Sequence, residues 1–181
     1  MLRRCVLLLS MAMIGLVGCK QPSTRAHETK VVAFAPGEVG SLLPDFCVQD
    51  LYGHEISSAD LRGKVVLIDF WATWCQPCRQ EMPGFQKLLN RYGARGFAVV
   101  GFKFSNMEDS EDPILFAKKI GVHYRLAVTT DGLQEKFGGI KGLPTTMLYD
   151  RRGILRKKVI GFEYTETIES ELKPLLDRAG S

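Results

Sequence analysis

Two cysteines separated by two residues, Cys75 and Cys78, are the side chains whose type and spacing point most directly to chemistry. They come shortly after the apolar run Val65–Phe70, which predicts a buried strand, and a helical pattern follows Cys78. At such a turn the first sulfur lies over the amide donors of the helix start, where the helix dipole favours thiolate over thiol. This is the arrangement of a dithiol that exchanges with disulfides.

Two other uses of this cysteine pair have to be weighed. A structural zinc site needs four ligands, but the remaining cysteines, Cys5, Cys19 and Cys47, are single, and the three histidines are far apart in the sequence. A permanent stabilising disulfide is the second alternative, although so short a loop constrains the unfolded chain little. We predict a redox-active Cys75–Cys78 disulfide, no metal and no separate cofactor.

The N-terminus has the pattern of an export signal, and residues 1–18 are predicted to be a lipoprotein signal peptide. Two arginines precede the apolar run Val6–Val17, which is too short to span a bilayer comfortably, since about 20 apolar residues are needed. The sequence Leu16-Val17-Gly18-Cys19 resembles the lipobox of bacterial lipoproteins. That resemblance implies cleavage before Cys19 and lipidation of its sulfur. An ordinary signal peptide with a chance cysteine is the alternative.

Residues 19–36 are polar and lack a periodic pattern, so they are predicted to be a flexible tether from lipidated Cys19 to a folded domain at residues 37–181. The expected location is the cell envelope, lipid-anchored on the extracytoplasmic side, where disulfides persist. Lys20, rather than Asp, follows the cysteine, and resemblance to the lipoprotein sorting rule then implies the outer membrane facing the periplasm if the cell is Gram-negative. The net charge of +4 falls to +2 without the two signal arginines, which excludes a nucleic-acid footprint.

Strand and helix patterns alternate along the domain, which predicts an α/β fold with a central sheet. The last third adds a hairpin and a final helix in which Pro174 predicts a kink or an early end. Predicted strands are 46–49, 65–70, 97–104, 145–149 and 155–160, and predicted helices follow Cys78 to about Gly93 and cover 111–120, 133–137 and 168–176.

The chain resembles the thioredoxin superfamily, specifically the TlpA/ResA-like thiol–disulfide oxidoreductases. The resemblance implies a thioredoxin-like fold, a central mixed β-sheet flanked by helices, with an extra helix–strand insertion at about Met107–Val128. Its motifs are spread in order over residues 42–162: Leu43–Phe46, Leu61–Lys64, Asp69–Cys78, Glu81–Pro83, Gly142–Thr146 and Asp150–Gly153.

The resemblance also implies roles for individual residues. Cys75 would be the nucleophile that forms a mixed disulfide with the client, and the less exposed Cys78 would resolve it. Asp69 matches the buried acid of thioredoxin, which takes the proton from the resolving thiol. Burial raises the pKa of such a carboxyl. A structural Asp bonded to a neighbouring backbone or lysine group is the alternative.

Four residues are expected to contact the client. Pro77 fixes the turn between the cysteines, and Trp74 contributes to an apolar rim over the sulfurs. Pro144 resembles the cis-proline that faces the dithiol in this superfamily, and the backbone of Leu143 would pair with the extended client. Glu81 fits the family pattern without an assigned role. Cys47 is interpreted as an incidental thiol, or alternatively as a site of regulation.

These features predict an envelope-anchored thiol–disulfide oxidoreductase that reduces exported cysteine-containing client proteins. The resemblance implies cytochrome c maturation or copper-site assembly as the context and a membrane thiol transporter as electron donor. A thiol peroxidase is one alternative, but Ile68 and Ala72 occupy the positions of its conserved Pro and Thr. A Sco-like copper chaperone is another. In that case His123 would be the third metal ligand beside Cys75 and Cys78. The two cysteines of the Sco-like family are, however, separated by one residue more than Cys75 and Cys78 are.

Overall fold

The computed structural model of the protein describes residues 34–104 and 111–178. The predicted signal peptide, Cys19 and most of the predicted tether lie outside these residues. The strands are β1 (Cys47–Gln49), β2 (Glu55–Ser57), β3 (Val65–Trp71), β4 (Phe97–Lys103), β5 (Arg125–Val128), β6 (Thr145–Tyr149) and β7 (Leu155–Ile160). The helices are α1 (Gln76–Tyr92), α2 (Pro113–Lys119), α3 (Asp131–Lys136) and α4 (Thr165–Asp177).

Five strands form the central sheet in the order β5-β4-β3-β6-β7, and β1 pairs with β2 in a separate hairpin. The neighbours β3, β4 and β5 run parallel, whereas β6 and β7 pair antiparallel. Parallel neighbours need crossover connections, which α1 and α2 supply. The predicted mixed sheet flanked by helices is therefore confirmed, and the cysteine pair lies at the carboxyl end of its central strand.

The central strand β3 is buried along its whole length, as expected for a strand that is covered on both faces. Alternate side chains enter two different cores. Val65, Leu67 and Trp71 pack with residues of α1 and α4, whereas Val66, Ile68 and Phe70 join the other cluster. Asp69 alternates with the first set, so its carboxyl faces the side of the sheet that α1 and α4 cover.

Several helix boundaries differ from the prediction by one to three residues, and two of them have a clear physical reason. α2 begins at Pro113 rather than at residue 111, because the Asp112 side chain caps it by accepting hydrogen bonds from the amides of Ile114 and Leu115. α4 continues three residues past Pro174 to Asp177, because buried Leu175 and Leu176 hold its last turn in the core.

The predicted insertion corresponds to α2 and the edge strand β5, and its first residues, 107–110, lie outside the described ranges. Within residues 34–104 and 111–178, no helix is long and apolar enough to cross a membrane.

Candidate active site

Cys75 and Cys78 are joined by a disulfide at the start of α1, with their Cα atoms 5.3 Å apart. Cys75 is the N-cap residue of α1, and its sulfur accepts a hydrogen bond from the amide of Cys78 at 3.3 Å. Pro77 lies in the first turn, where its missing amide hydrogen leaves no intrahelical bond unmade. The first sulfur therefore lies against the amide donors of the helix start, as predicted.

The two sulfurs belong to residues that are almost completely buried. Cys75 is 3% exposed and Cys78 is fully buried, so the expected order of exposure is confirmed although both belong to the apolar core. Cys75 is covered because it packs in the same cluster as Ala72 and Trp71. The neighbouring Trp74 is half-exposed. A client disulfide therefore meets the surface around Cys75 rather than a protruding thiol.

The Asp69 carboxyl is fully buried in the middle of β3. Desolvation raises its pKa from 3.8 to about 7, and the hydrogen bond from the Tyr124 hydroxyl to Oδ2, at 3.4 Å, opposes this shift. Its other oxygen has no hydrogen-bond partner among the described residues. The partner of Asp69 is thus a tyrosine hydroxyl, not a lysine, and the acid titrates near neutral pH.

Gly101 on β4 makes room for this arrangement. It is the register partner of Asp69 on the adjacent strand. A Cβ atom at Gly101 would lie 2.6 Å from Cδ2 of Leu126, 3.0 Å from Nε1 of Trp71 and 3.2 Å from Cε2 of Tyr124. Such contacts are too close to be accommodated without movement, so glycine here lets Tyr124 approach Asp69.

Glu81 is a second buried acid, to which the sequence analysis assigned no role. It is 1% exposed on α1, and its Oε2 accepts a hydrogen bond from the amide of Glu163 at 3.3 Å. Burial, and then the charge of Asp69, raise its pKa from 4.5 to about 9. A sequence signal was present: Glu81 lies on the helical stripe of Cys78, Met82 and Phe85, which is otherwise apolar.

The charge on one of these two buried acids therefore opposes ionisation of the other. Two carboxyls that repel each other lose their protons in two steps that belong to the pair. The first proton leaves near neutral pH and the second leaves in the alkaline range. Neutral pH lies close to the midpoint of the first step, so the pair can take up or release a proton there.

The Leu143–Pro144 peptide bond is cis, as the resemblance implied. Leu143 packs against the core cluster that contains both cysteines, and the carbonyl of Pro144 accepts a hydrogen bond from the amide of Gly161 at 2.8 Å. The segment therefore packs against the core that contains the dithiol, and it is tied to the residue that follows β7. Trp71 is in the core, stacked on Phe116 with ring centroids 5.2 Å apart.

Comparison with known proteins agrees with this geometry. Residues 39–158 match the AhpC/TSA family. The thiol–disulfide oxidoreductase ResA of Geobacillus kaustophilus is 33% identical over 137 residues, which cover 76% of this chain and 78% of ResA. The chain is a ResA-like member of the AhpC/TSA family, in the thioredoxin superfamily.

Other similar proteins support the same family assignment. The thioredoxin-like protein YneN of Bacillus subtilis is 34% identical over 134 residues, covering 74% of this chain and 78% of YneN. A putative thiol:disulfide interchange protein DsbE from Chlorobium tepidum superimposes with a TM-score of 0.67 at 31% identity, covering 77% of this chain and 98% of that one. This ResA-like protein is accordingly a thiol–disulfide oxidoreductase of the thioredoxin fold.

The third cysteine that the structure describes, Cys47, is exposed at the start of β1 and forms no disulfide. His123 is also exposed, and its backbone amide donates to the Gln86 side chain at 2.7 Å. Within residues 34–104 and 111–178 of this ResA-like protein, no three His, Cys, Asp or Glu side chains are grouped so as to hold a metal ion.

Proposed function

We propose that this protein is a lipid-anchored reductase of the cell envelope that transfers two electrons to the disulfides of exported client proteins. The observation that carries the proposal is the position of the Cys75–Cys78 disulfide, which caps α1 on the face of β3 that bears the buried Asp69. The anchoring part rests on the lipobox resemblance of residues 16–19.

The first step is attack by the reduced protein. The Cys75 thiolate, favoured by the amide of Cys78 and the start of α1, attacks one sulfur of the client disulfide. A mixed disulfide between Cys75 and the client forms, the client S–S bond breaks, and the released client thiolate takes a proton from solvent. Trp74, Pro77 and the Leu143–Pro144 segment contact the client during this step.

The second step is resolution by Cys78. The ionised Asp69 accepts the proton of the Cys78 thiol, and the resulting thiolate attacks the Cys75 sulfur. The Cys75–Cys78 bond forms and the bond to the client breaks, so the second client sulfur leaves as a thiolate and is protonated. Because burial raises the pKa of Asp69 to about 7, it can both take up this proton and release it near neutral pH.

The cycle closes when a membrane thiol donor reduces the Cys75–Cys78 disulfide by the reverse exchange. Two electrons and two protons are thereby passed from the donor to the client in each turnover. By the family resemblance, the clients are cysteine-containing proteins of cytochrome c maturation or copper-site assembly. A Cys19 anchor keeps the protein close to both membrane donor and exported clients.

Trapping of the mixed disulfide tests the proposal. A Cys47→Ser/Cys78→Ser double variant retains the nucleophile, cannot resolve the intermediate and lacks the exposed Cys47 thiol, which could capture proteins nonspecifically. The matched control is Cys47→Ser/Cys75→Ser. We expect thiol-sensitive adducts with envelope proteins for the first variant only. Equal adducts for both variants, or none for either, would reject the reductase mechanism.

The anchor has its own test. We expect the full-length protein to incorporate labelled palmitate and to fractionate with membranes. A Cys19→Ala variant should lose the label. Incorporation that survives this substitution, or no incorporation by the wild type, would remove the lipoprotein part of the proposal and leave the dithiol chemistry intact.

A further inference from the structure

Two of the sequence motifs, Leu61–Lys64 and Asp150–Gly153, lie at the end of the central sheet opposite the cysteine pair. Leu61–Lys64 directly precedes β3, and Asp150–Gly153 includes the turn between β6 and β7. Cys75 follows the other end of β3. The rise of about 3.3 Å per strand residue separates the two ends of β3 by about 20 Å. These motifs are therefore too far from the dithiol to contact the reacting sulfurs.

A cleft of about 310 Å³, which we call the basic cleft, is lined by residues of both motifs and by the chain segment before β1. Leu42 and Leu43 give it an apolar wall, and Leu42 is 68% exposed. The amide of Leu43 donates to the carbonyl of Gly153 at 2.7 Å, and Nη1 of Arg151 donates to the carbonyl of Gly63 at 3.0 Å. These hydrogen bonds join the two motifs and the segment, so the cleft is formed before any ligand binds.

The charges that line the basic cleft are mostly positive. Four cationic side chains belong to its lining, namely Arg62, Lys64, Arg151 and Arg152. Among the described residues, Asp45 supplies the one carboxylate of this lining, which leaves a net charge of +3. The guanidinium of Arg151 donates to three backbone carbonyls, which carry no net charge. The cleft therefore combines an apolar wall with an excess of positive charge.

Most of these cations also lack an acidic partner. In the part of the chain that the structure describes, no carboxylate oxygen lies within 4.0 Å of a side-chain nitrogen of Arg62, Lys64 or Arg151. Nε of Arg152 lies 4.0 Å from Oδ2 of Asp150, at the limit of an ion pair. Since uncompensated charges of one sign in a concave site attract the opposite charge, the basic cleft favours an anionic ligand.

We propose that the basic cleft binds the phosphate headgroup of an anionic membrane lipid and thereby holds the domain with its dithiol away from the bilayer. The inference rests on the membrane anchor proposed above and adds which surface of the domain contacts the membrane. Clustered lysine and arginine side chains are attracted to anionic lipid surfaces. An exposed apolar side chain beside them, here Leu42, can enter the headgroup region.

The docked orientation presents the dithiol to exported clients. With the basic cleft on the membrane, Cys75 lies farther from the lipid by about 20 Å, the length of β3. A tether of residues 19–36 spans at most about 60 Å, so its length permits either end of the domain to face the bilayer. The charge of the cleft then decides the orientation. Salt competes with this contact, so the domain can also release the lipid and turn its dithiol towards a membrane donor.

Chemical labelling of two lysines tests the inference. The full-length protein is purified from membranes and reconstituted into vesicles of phosphatidylcholine, or of equal parts of phosphatidylcholine and phosphatidylglycerol. Lys64 lines the cleft, whereas Lys141 is exposed before β6, at the dithiol end of the sheet. We expect an amine-reactive reagent to label Lys64 about fivefold more slowly in the anionic vesicles and Lys141 at the same rate in both. High salt should remove the difference.

Two variants with the same change in charge separate the basic cleft from the rest of the surface. Arg62→Glu should abolish the protection of Lys64, whereas Lys87→Glu, at an exposed position of α1, should retain it. Inorganic phosphate, added to phosphatidylcholine vesicles at constant ionic strength, should protect Lys64 far less than the anionic lipid does.

The inference is overturned if Lys64 is labelled equally in the two kinds of vesicle, or if Lys141 is protected in its place. Protection that Arg62→Glu retains, or that both variants lose alike, would also overturn it, since the attraction would then not be specific to the cleft. Full protection by inorganic phosphate would make the cleft a site for a free anion instead. A wild-type protein that leaves both kinds of vesicle would reject the anchor, and the inference with it, but not the dithiol chemistry.

Discussion

The hydroxyl of Tyr124 lies 3.4 Å from Oδ2 of Asp69 in the interior of the protein, and it donates to that carboxylate. Burial alone raises the pKa of Asp69, and this hydrogen bond offsets part of the shift because it stabilises the charged form. Tyr124 thereby helps to keep the acid ionisable near neutral pH. The tyrosine does not itself meet the client, so it acts as a positioning residue for Asp69.

Removing the Tyr124 hydroxyl should shift the pH dependence of resolution. In Tyr124→Phe the ionised form of Asp69 loses its donor, so its pKa rises and the pH at half-maximal resolution rate moves up by about one unit. Stopped-flow measurement of mixed-disulfide resolution across the pH range checks this. An unchanged midpoint, with the fold intact, would show that the tyrosine does not tune Asp69.

Replacing the two buried acids should separate their roles. Asp69→Asn removes the proton acceptor and should slow resolution about a hundredfold, with little effect on the initial attack by Cys75. Glu81→Gln should leave the neutral part of the pH profile near the wild type, because Glu81 is still protonated there, and should remove the alkaline step. Rapid-mixing assays resolve both phases. An unaltered resolution rate in Asp69→Asn would exclude this acid from the mechanism.

The buried acids should make the oxidised protein less stable as the pH rises. Their folded-state pKa values, about 7 for Asp69 and about 9 for Glu81, exceed the ordinary values of 3.8 and 4.5. Between those limits the folded state binds more protons than the unfolded state, so the free energy of unfolding falls with pH. The contribution of the two acids to the free energy of unfolding is fully present below about pH 4. It decreases as the pH rises and is lost once the pH has passed about 9.

Urea denaturation of the disulfide form over this pH range measures the trend. The decline should be shallower in Asp69→Asn and shallowest in the Asp69→Asn/Glu81→Gln double variant. A wild-type stability that rises steadily from acid to alkaline pH would contradict the raised pKa values.

A close approach of two helices fixes the start of α4 against α1. A Cβ atom at Gly84 would collide with Oγ1 of Thr165, so Gly84→Ala should destabilise the protein by about 1–3 kcal/mol and displace the start of α4. Chemical denaturation measures the loss of unfolding free energy. Gly132→Ala is the control, because nothing lies within 4 Å of a Cβ there, and its effect should be near neutral. Equal stabilities for the two variants would show that α4 can move away from α1 without a cost in free energy.

Local sequence pattern determined much of the framework. The apolar run that became β3, the cysteine pair at the following helix start and the alternating strands and helices all depend on residues close together in the chain. Periodicity and capping act over a few residues, so these features could be predicted from sequence. The family motifs added Asp69 and the cis bond before Pro144, which was confirmed although local preference gives it little support.

Tertiary structure alone decided what surrounds those residues. Tyr124 and Asp69 are 55 positions apart, and Glu163 reaches Glu81 across 82 positions, so no local pattern reports either contact. The low exposure of Cys75 likewise comes from packing between distant elements. A carboxyl's pKa depends on the solvent and charges that packing removes or brings near. The sequence by itself therefore determined which groups can react, and the packing of distant segments decided their acidity, their accessibility and the surface beside them.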